Sequence, residues 1–239
     1  MKKIIERLKT FNFRLFFALC SLSLIPAIYQ TIKTFLISSN VYDSAFDIIG
    51  QMEWFDLINE TLQAFLIIPL YSILNKIFKQ DADNFSFYIF KTGIVVFVLY
   101  SVFSIGVLIY GKFLIGAMNP SEIDFDSTNA YLQLETVAFM VGITVSFINV
   151  VFVVVGKDKN VYIFLFINSA LSLIFDFVLL PSMGIFGVAI SNIIVNSILS
   201  IFGILLLYRQ KYLRFGKFSK SDLLLFKRWS KVGFFSGIQ

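Results

Sequence analysis

The sequence contains no histidine and a single cysteine, Cys20, among its 239 residues. Histidine and cysteine are the principal protein ligands of zinc, haem iron and iron–sulfur clusters, so most chemistry of that kind is excluded. General acid–base catalysis by histidine is excluded as well, and one cysteine cannot form a disulfide framework. No paired aspartate motif and no nucleophile–base arrangement takes their place. We therefore expect no cofactor and no enzymatic activity.

Charge is also scarce. Charged residues make up 15% of the chain and hydrophobic residues 58%, whereas a soluble domain carries about 25% charged residues. The apolar runs are each about 20 residues long, enough for a helix to cross the hydrocarbon core of a bilayer. We predict an all-α integral membrane protein, a bundle of six transmembrane helices. The spans are expected near residues 15–38, 57–78, 92–115, 131–155, 161–180 and 185–208.

The few basic residues that are present fall in a pattern. All lysines and arginines except Lys33 and Lys112 lie in four short stretches, at every second gap between the apolar runs. The other gaps hold acidic residues. Cytoplasmic loops collect lysine and arginine, so we predict a multi-pass protein of the cell membrane with both termini cytoplasmic. The net charge of +5 follows this topology and requires no nucleic-acid partner; the lipid bilayer is the expected surrounding.

Four segments are expected along the chain. Residues 1–14 are basic and form either a short helix at anionic lipid headgroups or a solvated tail, two readings that the sequence supports equally. Residues 15–208 form the six-helix lobe. Residues 209–231 form a basic cytoplasmic linker with a helix that lies on the membrane face. Residues 232–239 read as the first turns of a truncated seventh span, so the isolated chain is expected to be at most marginally functional.

The fifth and sixth predicted spans carry the most specific pattern. An Asn168–Asp176 segment is followed by Leu180-Pro181 and then by Gly184-Ile185-Phe186-Gly187-Val188-Ala189. In this hairpin the chain resembles the multidrug and toxic compound extrusion (MATE) family of transporters, whose hairpin has an Asn, an Asp and a Gly-x-x-Gly-Ala-Ala turn. The last residues resemble the start of that family's seventh helix. The resemblance implies the N-terminal lobe of a two-lobe transporter that works by alternating access, coupled to sodium or protons.

The chain departs from the family pattern at positions that concern ion coupling. Lys33 falls where the family's first helix often carries an acid, and Ser172 stands where the family has an Asn before Asp176. Asn192 replaces a Thr on the sixth helix, and Phe65–Tyr71 replaces small residues on the second. The resemblance therefore implies a transporter lobe without transferring its ion site.

Ionisable side chains inside spans are costly and usually face the interior of the bundle. Helical spacing of three and four places polar residues of the first, second, fifth and sixth spans on shared faces. We predict one polar cavity among these four helices, with Lys33 paired to Asp176 as a tethered cation that keeps sodium out. Any coupling to a proton or to sodium would then come from the missing second lobe or from Glu60. The candidate cavity residues are Asp176, Lys33, Glu60, Ser172, Asn168, Asn192, Gln30 and Tyr29.

Other roles compete for some polar residues. Ser172, Asn149 and Asn196 are more readily explained as side chains that join helices by hydrogen bonds, and Glu135 as a carboxylate that reaches water at the interface. Gly184 and Gly187 are expected to let the fifth and sixth helices approach closely.

The leading functional prediction is an ion-coupled secondary transporter that exports small organic molecules and pairs with a second six-helix lobe or a second copy. One alternative is a flippase for lipid-linked saccharides of the same superfamily, since Lys33 would suit an anionic head group. The other is a membrane fragment or scaffold that transports nothing.

Overall fold

The computed structural model describes residues 13–40, 44–118, 125–217 and Trp229, without the side chains of residues 13–23, 26, 40 and 44–46. The described part is helical, and six of its helices are long. We number the seven helices in chain order. They are α1 (Phe13–Asn40), α2 (Ser44–Gln51), α3 (Glu53–Gln80), α4 (Phe85–Met118), α5 (Phe125–Val154), α6 (Asp158–Met183) and α7 (Ile185–Arg209).

Five of these helices, α3 to α7, are long and apolar enough to cross a membrane, within the part of the chain that the structure describes. They have 25 to 34 residues, or about 38 to 51 Å at 1.5 Å per residue. Helix α1 has 28 residues over the first predicted span. Five spans are thus supported, and the count of six stays a prediction.

Helix α5 lies at the centre of the lobe. It packs most extensively against α7 and α4, and it also contacts α3, α6 and the short helix α2. Half of its most apolar segment is buried, compared with a third or less for the other four helices of this kind. Helix α1 has its extensive contacts with α6 alone among the described helices, so α6 is its main packing partner.

Two boundaries differ from the sequence-based prediction. The second span was expected to begin near residue 57, but α3 already begins at Glu53, and the preceding residues Ser44–Gln51 form the separate helix α2. The fourth span was expected to begin near residue 131, but α5 already begins at Phe125. The Thr128 hydroxyl donates to Gln51 Oε1 over 3.0 Å, which joins the polar first turn of α5 to α2.

One residue, Gly184, separates α6 from α7. Its φ of +58° and ψ of −144° lie in a region that is open to glycine and strained for other residues. Helix α6 runs through Pro181, which had been expected to follow the helix. A Cβ on Gly187 would meet the backbone carbonyl group of Leu179 at 2.7 Å. The predicted close approach is confirmed at Gly187, whereas Gly184 serves the turn.

The predicted linker helix after α7 lies almost entirely outside the described residues. Residues 212–217, the start of the linker, have no regular secondary structure, and residues 218–228 and 230–239 lie outside the described part. Trp229 was placed on the membrane face, but its side chain is buried in the lobe, and its indole Nε1 donates to the Leu66 carbonyl over 3.1 Å. The predictions for residues 1–12 and 232–239 also lie outside the described residues.

Candidate functional site

A cavity of about 560 Å³ opens between α1, α3, α5, α6 and α7. Successive long helices run in opposite directions, so the end of α1, the start of α3 and the α6–α7 turn meet at one end of the lobe. Lys33, Glu60 and Asp176 each lie seven residues from one of those helix ends. The wall is formed by Tyr29, Gln30, Lys33, Thr34, Ile37, Ile49, Met52, Asp56, Asn59, Glu60, Gln63, Tyr131, Glu135, Ala138, Phe139, Asn168, Ser172, Asn192 and Asn196.

The structure brings the candidate residues from the sequence together around this space. Seven of the eight line the cavity, and Asp176 lies directly behind Tyr29. Four helices supply them, as the shared polar faces had indicated, and α5 adds a fifth wall that the sequence had not indicated. The seven lining residues are Tyr29, Gln30, Lys33, Glu60, Asn168, Ser172 and Asn192.

Asp176 on α6 is fully buried and is reached from α1. The Tyr29 hydroxyl donates to Asp176 Oδ2 over 3.3 Å. The other carboxylate oxygen, Oδ1, is also buried and has no hydrogen-bond partner among the described residues. A buried carboxylate held by one hydroxyl retains capacity to bind a proton or another donor. Tyr29 and Asp176 therefore form a polar contact that ties α1 to its main packing partner.

Lys33 does not form the ion pair with Asp176 that the sequence predicted. No carboxylate oxygen of the described residues lies within 4.0 Å of its ammonium, whereas Lys112 and Asp126 do form such a pair at 2.8 Å. Lys33 Nζ lies 5.8 Å from the centroid of the Tyr29 ring, and Tyr29 holds Asp176. The phenol stands where the direct contact was expected, because Tyr29 and Lys33 are one turn apart on the same face of α1.

The positive charge of Lys33 nevertheless attracts carboxylates on three other helices of the cavity. It lies close enough to attract the carboxylates of Asp56 on α3, Glu135 on α5 and Asp176 on α6. Its side chain is half-buried and belongs to the cavity wall. The ammonium is thus shared among several acids at a distance and is not neutralised by one of them.

Glu135 corrects a sequence-based expectation. It was expected to reach water at the interface, yet its side chain is only 6% exposed. The Tyr131 hydroxyl and Asn192 Nδ2 donate to Glu135 Oε1 over 3.0 and 3.3 Å. The expectation placed the start of the span at residue 131. Since α5 begins at Phe125, Glu135 lies about 15 Å along the helix, at a depth where the polar wall of the cavity surrounds it.

The face of α3 that lines the cavity is centred on a residue that sequence reasoning missed. Asn59 is 1% exposed, and its Oδ1 accepts hydrogen bonds from the Tyr100 hydroxyl and from Gln63 Nε2. Asn59 follows Asp56 by three residues and precedes Gln63 by four, which was the available signal. Glu60, the predicted residue, lines the same cavity with an exposed side chain.

Several polar side chains join helices, as predicted for Asn196. Asn196 Nδ2 donates to the Ala138 carbonyl over 3.1 Å and the Ser200 hydroxyl to the Val141 carbonyl over 3.3 Å, so α7 is joined to α5 twice. The Ser191 hydroxyl donates to the Ser172 carbonyl over 3.3 Å, which joins α7 to α6. Such bonds between membrane helices contribute about 0.6 kcal/mol each. They fix the helices that carry Glu135 and Asp176.

The site as a whole is acidic. Asp56, Glu60 and Glu135 line the cavity, and Asp176 adjoins it, against Lys33 as the cation of the described wall. The described residues contain no group of three or more histidine, cysteine, aspartate or glutamate side chains arranged to hold a metal ion. The chemistry available to this arrangement is the binding of cations, including protons, by carboxylates and neutral polar groups.

Searches against protein-family models and against curated proteins find no match. The fold, by contrast, matches solved structures of transporters. An outward-facing MATE transporter of the MOP superfamily matches with a TM-score of 0.79 at 16% identity, over 91% of this chain and 49% of that chain. A MOP superfamily transporter from Pyrococcus furiosus, described as having a binding pocket of reversed polarity, gives 0.79 at 16% over 92% and 50%. A MATE transporter in complex with MaD3S gives 0.79 at 17% over 92% and 52%.

The chain thus spans about half the length of the transporters whose fold it shares. It is an all-α, multi-pass membrane protein with the fold of one lobe of a MATE transporter, as the resemblance in its sequence implied. The proteins that share this fold are transporters and not enzymes.

Proposed function

We propose that this chain forms one lobe of a secondary active transporter that exports small organic molecules by alternating access. The cavity between α1, α3, α5, α6 and α7 is the substrate site in this proposal, and its volume of about 560 Å³ is within the range of small-molecule pockets. A second six-helix lobe, or a second copy of this chain, would complete the transport path. The fold shared with half of a MATE transporter supports this arrangement.

The charge of the cavity wall supports a more specific proposal about the substrate. Asp56, Glu60 and Glu135 face a space in which Lys33 is the one described cation. In a poorly hydrated cavity, unbalanced carboxylates attract positive charge. Aromatic side chains of Tyr29, Tyr131 and Phe139 on the same wall add faces on which an organic cation can lie. We therefore assign small organic cations as the substrate class.

Coupling to a proton is assigned to the two most buried carboxylates. Glu135 and Asp176 are 6% and 0% exposed, and both accept hydrogen bonds from neutral groups and lack an ion pair within 4.0 Å among the described residues. Intramembrane carboxylates in such surroundings serve as proton carriers in transporters. The positive charge of Lys33 attracts both carboxylates and would disfavour the binding of sodium at this site. This exclusion of sodium is the part of the tethered-cation hypothesis that we retain as a proposal.

The test compares two ions of nearly identical shape and opposite charge. Tetraphenylphosphonium and tetraphenylborate are each equilibrated by dialysis with the purified full chain in detergent, and protein-free micelles correct for partitioning. We expect saturable binding of the phosphonium ion, weakened about tenfold or more by Glu135→Gln, a loss typical of a buried charged contact. Lys33→Gln should strengthen it. Ser38→Ala, on the exposed end of α1, serves as the control.

A flippase for lipid-linked saccharides remains the second candidate, because Lys33 has no carboxylate within 4.0 Å in the described part of the chain. A free ammonium in a cavity can hold an anionic head group. In that case tetraphenylborate, and not tetraphenylphosphonium, should bind saturably, and Lys33→Gln should abolish its binding. That pattern would contradict the assignment of cationic substrates. Saturable binding of neither ion would favour a lobe that transports nothing.

A further inference from the structure

A second concave surface lies outside the cavity, on the flank of the lobe. It is an apolar groove of about 400 Å³ between α4, α5, α7 and the segment that follows α7. Thr144 is the one polar side chain on its described wall. On α4 the groove extends from Ile89 to Phe97, about 12 Å along the helix axis. Phe97 and Ile204 on this wall are more than 40% exposed, so the groove is open to the surrounding hydrocarbon.

The segment 209–217, which we call the basic strap, closes one end of this groove. The Arg214 backbone N–H donates to the Ser86 carbonyl over 3.3 Å. The Phe215 and Phe90 rings meet edge to face with centroids 5.0 Å apart, and a Cβ on Gly216 would lie 2.8 Å from Phe87. The strap therefore crosses the first turns of α4. Leu213 and Phe215, on either side of Arg214, line the groove itself.

The strap holds a lysine in a backbone conformation that favours glycine. Lys211 has φ +62° and is the one residue other than glycine with positive φ in the described chain. Its N–H donates to the Tyr208 carbonyl and the Tyr212 N–H to the Leu207 carbonyl. These two bonds form a Schellman motif at the end of α7, in which glycine usually occupies the position of Lys211. A strained residue of this kind points to a function for the side chain.

All charged residues of the basic strap are positive. Arg209, Lys211, Arg214 and Lys217 all have exposed side chains, and residues 209–217 contain no acid. The neighbouring turn before α4 contains Asp81 and Asp83; the Asp81 carboxylate accepts hydrogen bonds from Asn84. Lys91 lies one residue beyond the groove-lining Phe90, with its Nζ 5.6 Å from the Tyr88 ring centroid. Basic groups thus surround the closed end of an apolar groove.

We infer that this groove and the basic strap bind one anionic phospholipid. An acyl chain lies along the groove between α4, α5 and α7, and the phosphate of the head group is held by Lys211 and Arg214 of the strap. Helix α7 ends beside this position, and the partial negative charge of its C-terminal end opposes a phosphate there. The basic side chains of the strap offset that repulsion. Clusters of lysine and arginine at the ends of membrane helices are general recognition sites for anionic head groups. The inference is independent of the proposed transport function.

The experiment uses the full chain in phosphatidylcholine bicelles with increasing phosphatidylglycerol, and native mass spectrometry counts the lipid that remains bound. The first variant is Lys211→Gly, which removes the charge and places the favoured residue in the turn, so that loss of binding cannot be attributed to unfolding. The second is Arg214→Gln. We expect each removed charge to weaken retention of phosphatidylglycerol about fivefold, and the double variant about 25-fold. Lys159→Gln, which removes an exposed basic side chain from the first turn of α6, is the matched control.

A groove-filling variant tests the acyl chain separately. Ile204→Trp places a larger side chain in the groove, and Ile201→Trp places the same side chain on an exposed part of α7 that does not line it. Only the first should reduce lipid retention. Inorganic phosphate should not displace the lipid. Equal retention of phosphatidylglycerol and phosphatidylcholine, or an unchanged retention in the Ile204 variant, would overturn the inference. A disulfide between a cysteine introduced at residue 94 and one introduced within residues 218–228, in an otherwise unchanged chain, would overturn it too, since the chain itself would then fill the groove.

Discussion

Tyr29 on α1 holds Asp176 on α6 through a hydrogen bond of 3.3 Å between its hydroxyl and Asp176 Oδ2. This bond lies in the interface that supplies the extensive packing of α1. A tyrosine, and not the lysine one turn away, is therefore the partner of the most deeply buried carboxylate of the site.

The first prediction concerns this pair. A double-mutant cycle of Tyr29→Phe and Asp176→Asn should show a coupling free energy of about 0.5–3 kcal/mol, because the two groups contact each other. A cycle of Lys33→Gln and Asp176→Asn should show a smaller coupling, since the two charges are more than 4.0 Å apart. Unfolding in mixed micelles with increasing dodecyl sulfate measures both. A Lys33 coupling larger than that of Tyr29 would contradict the geometry described above.

The second prediction separates two glutamates of the same cavity. Glu135→Ala should lower the free energy of unfolding by about 1–3 kcal/mol, because it leaves the buried Tyr131 hydroxyl and the Asn192 amide without their acceptor. Glu60→Ala should change it by no more than about 0.5 kcal/mol, because its side chain is exposed and makes no such contact with the described residues. The same unfolding assay measures the free energy of unfolding of both variants. Equal losses would indicate that Glu135 is solvated in the folded protein.

The third prediction concerns the close approach of α6 and α7. Gly187→Ala would bring a Cβ to 2.7 Å from the Leu179 backbone, which cannot move aside as a flexible side chain can. We expect a destabilisation of about 1–3 kcal/mol or more. Gly106→Ala on α4 is the control, since no atom lies within 4 Å of its added Cβ. It should stabilise the protein by about 0.5–1 kcal/mol through its helix propensity. A neutral Gly187→Ala would mean that the hairpin can open without cost.

The fourth prediction tests orientation, which the pattern of charges predicts. In a Cys20→Ser background, single cysteines are introduced at Asp47 and Lys159 in cells. A membrane-impermeant maleimide should label the exposed position 47 from outside and should reach position 159 only after the membrane is permeabilised. Asp126, whose side chain is 87% exposed, provides a second external site. Labelling of position 159 in intact cells would contradict a cytoplasmic location of both termini.

The order of the long helices, and five of the six predicted spans, could be predicted from the sequence because apolar length and charge are local properties. The α6–α7 hairpin was also predictable, because Gly184 can adopt a backbone conformation that is strained for other residues. The partner of each polar side chain was not. Tyr29 and Lys33 share a face of α1, so spacing alone could not show which of them meets Asp176. Glu135 was placed too near the interface because the polar first turn of α5 looks like a loop until Thr128 is seen to contact Gln51.

The turn between α6 and α7 consists of Gly184 alone, so it has no further residues that could absorb a change in length. One residue inserted after Gly184 would rotate every later position of α7 by about 100° and advance it by 1.5 Å. Asn192 would then turn away from Glu135, and Asn196 away from Ala138. The positions of the α7 side chains in the cavity wall therefore depend on the length of a turn of one glycine. Length changes that evolution tolerates in most surface loops would here dismantle the site while the hydropathy of the sequence stayed the same.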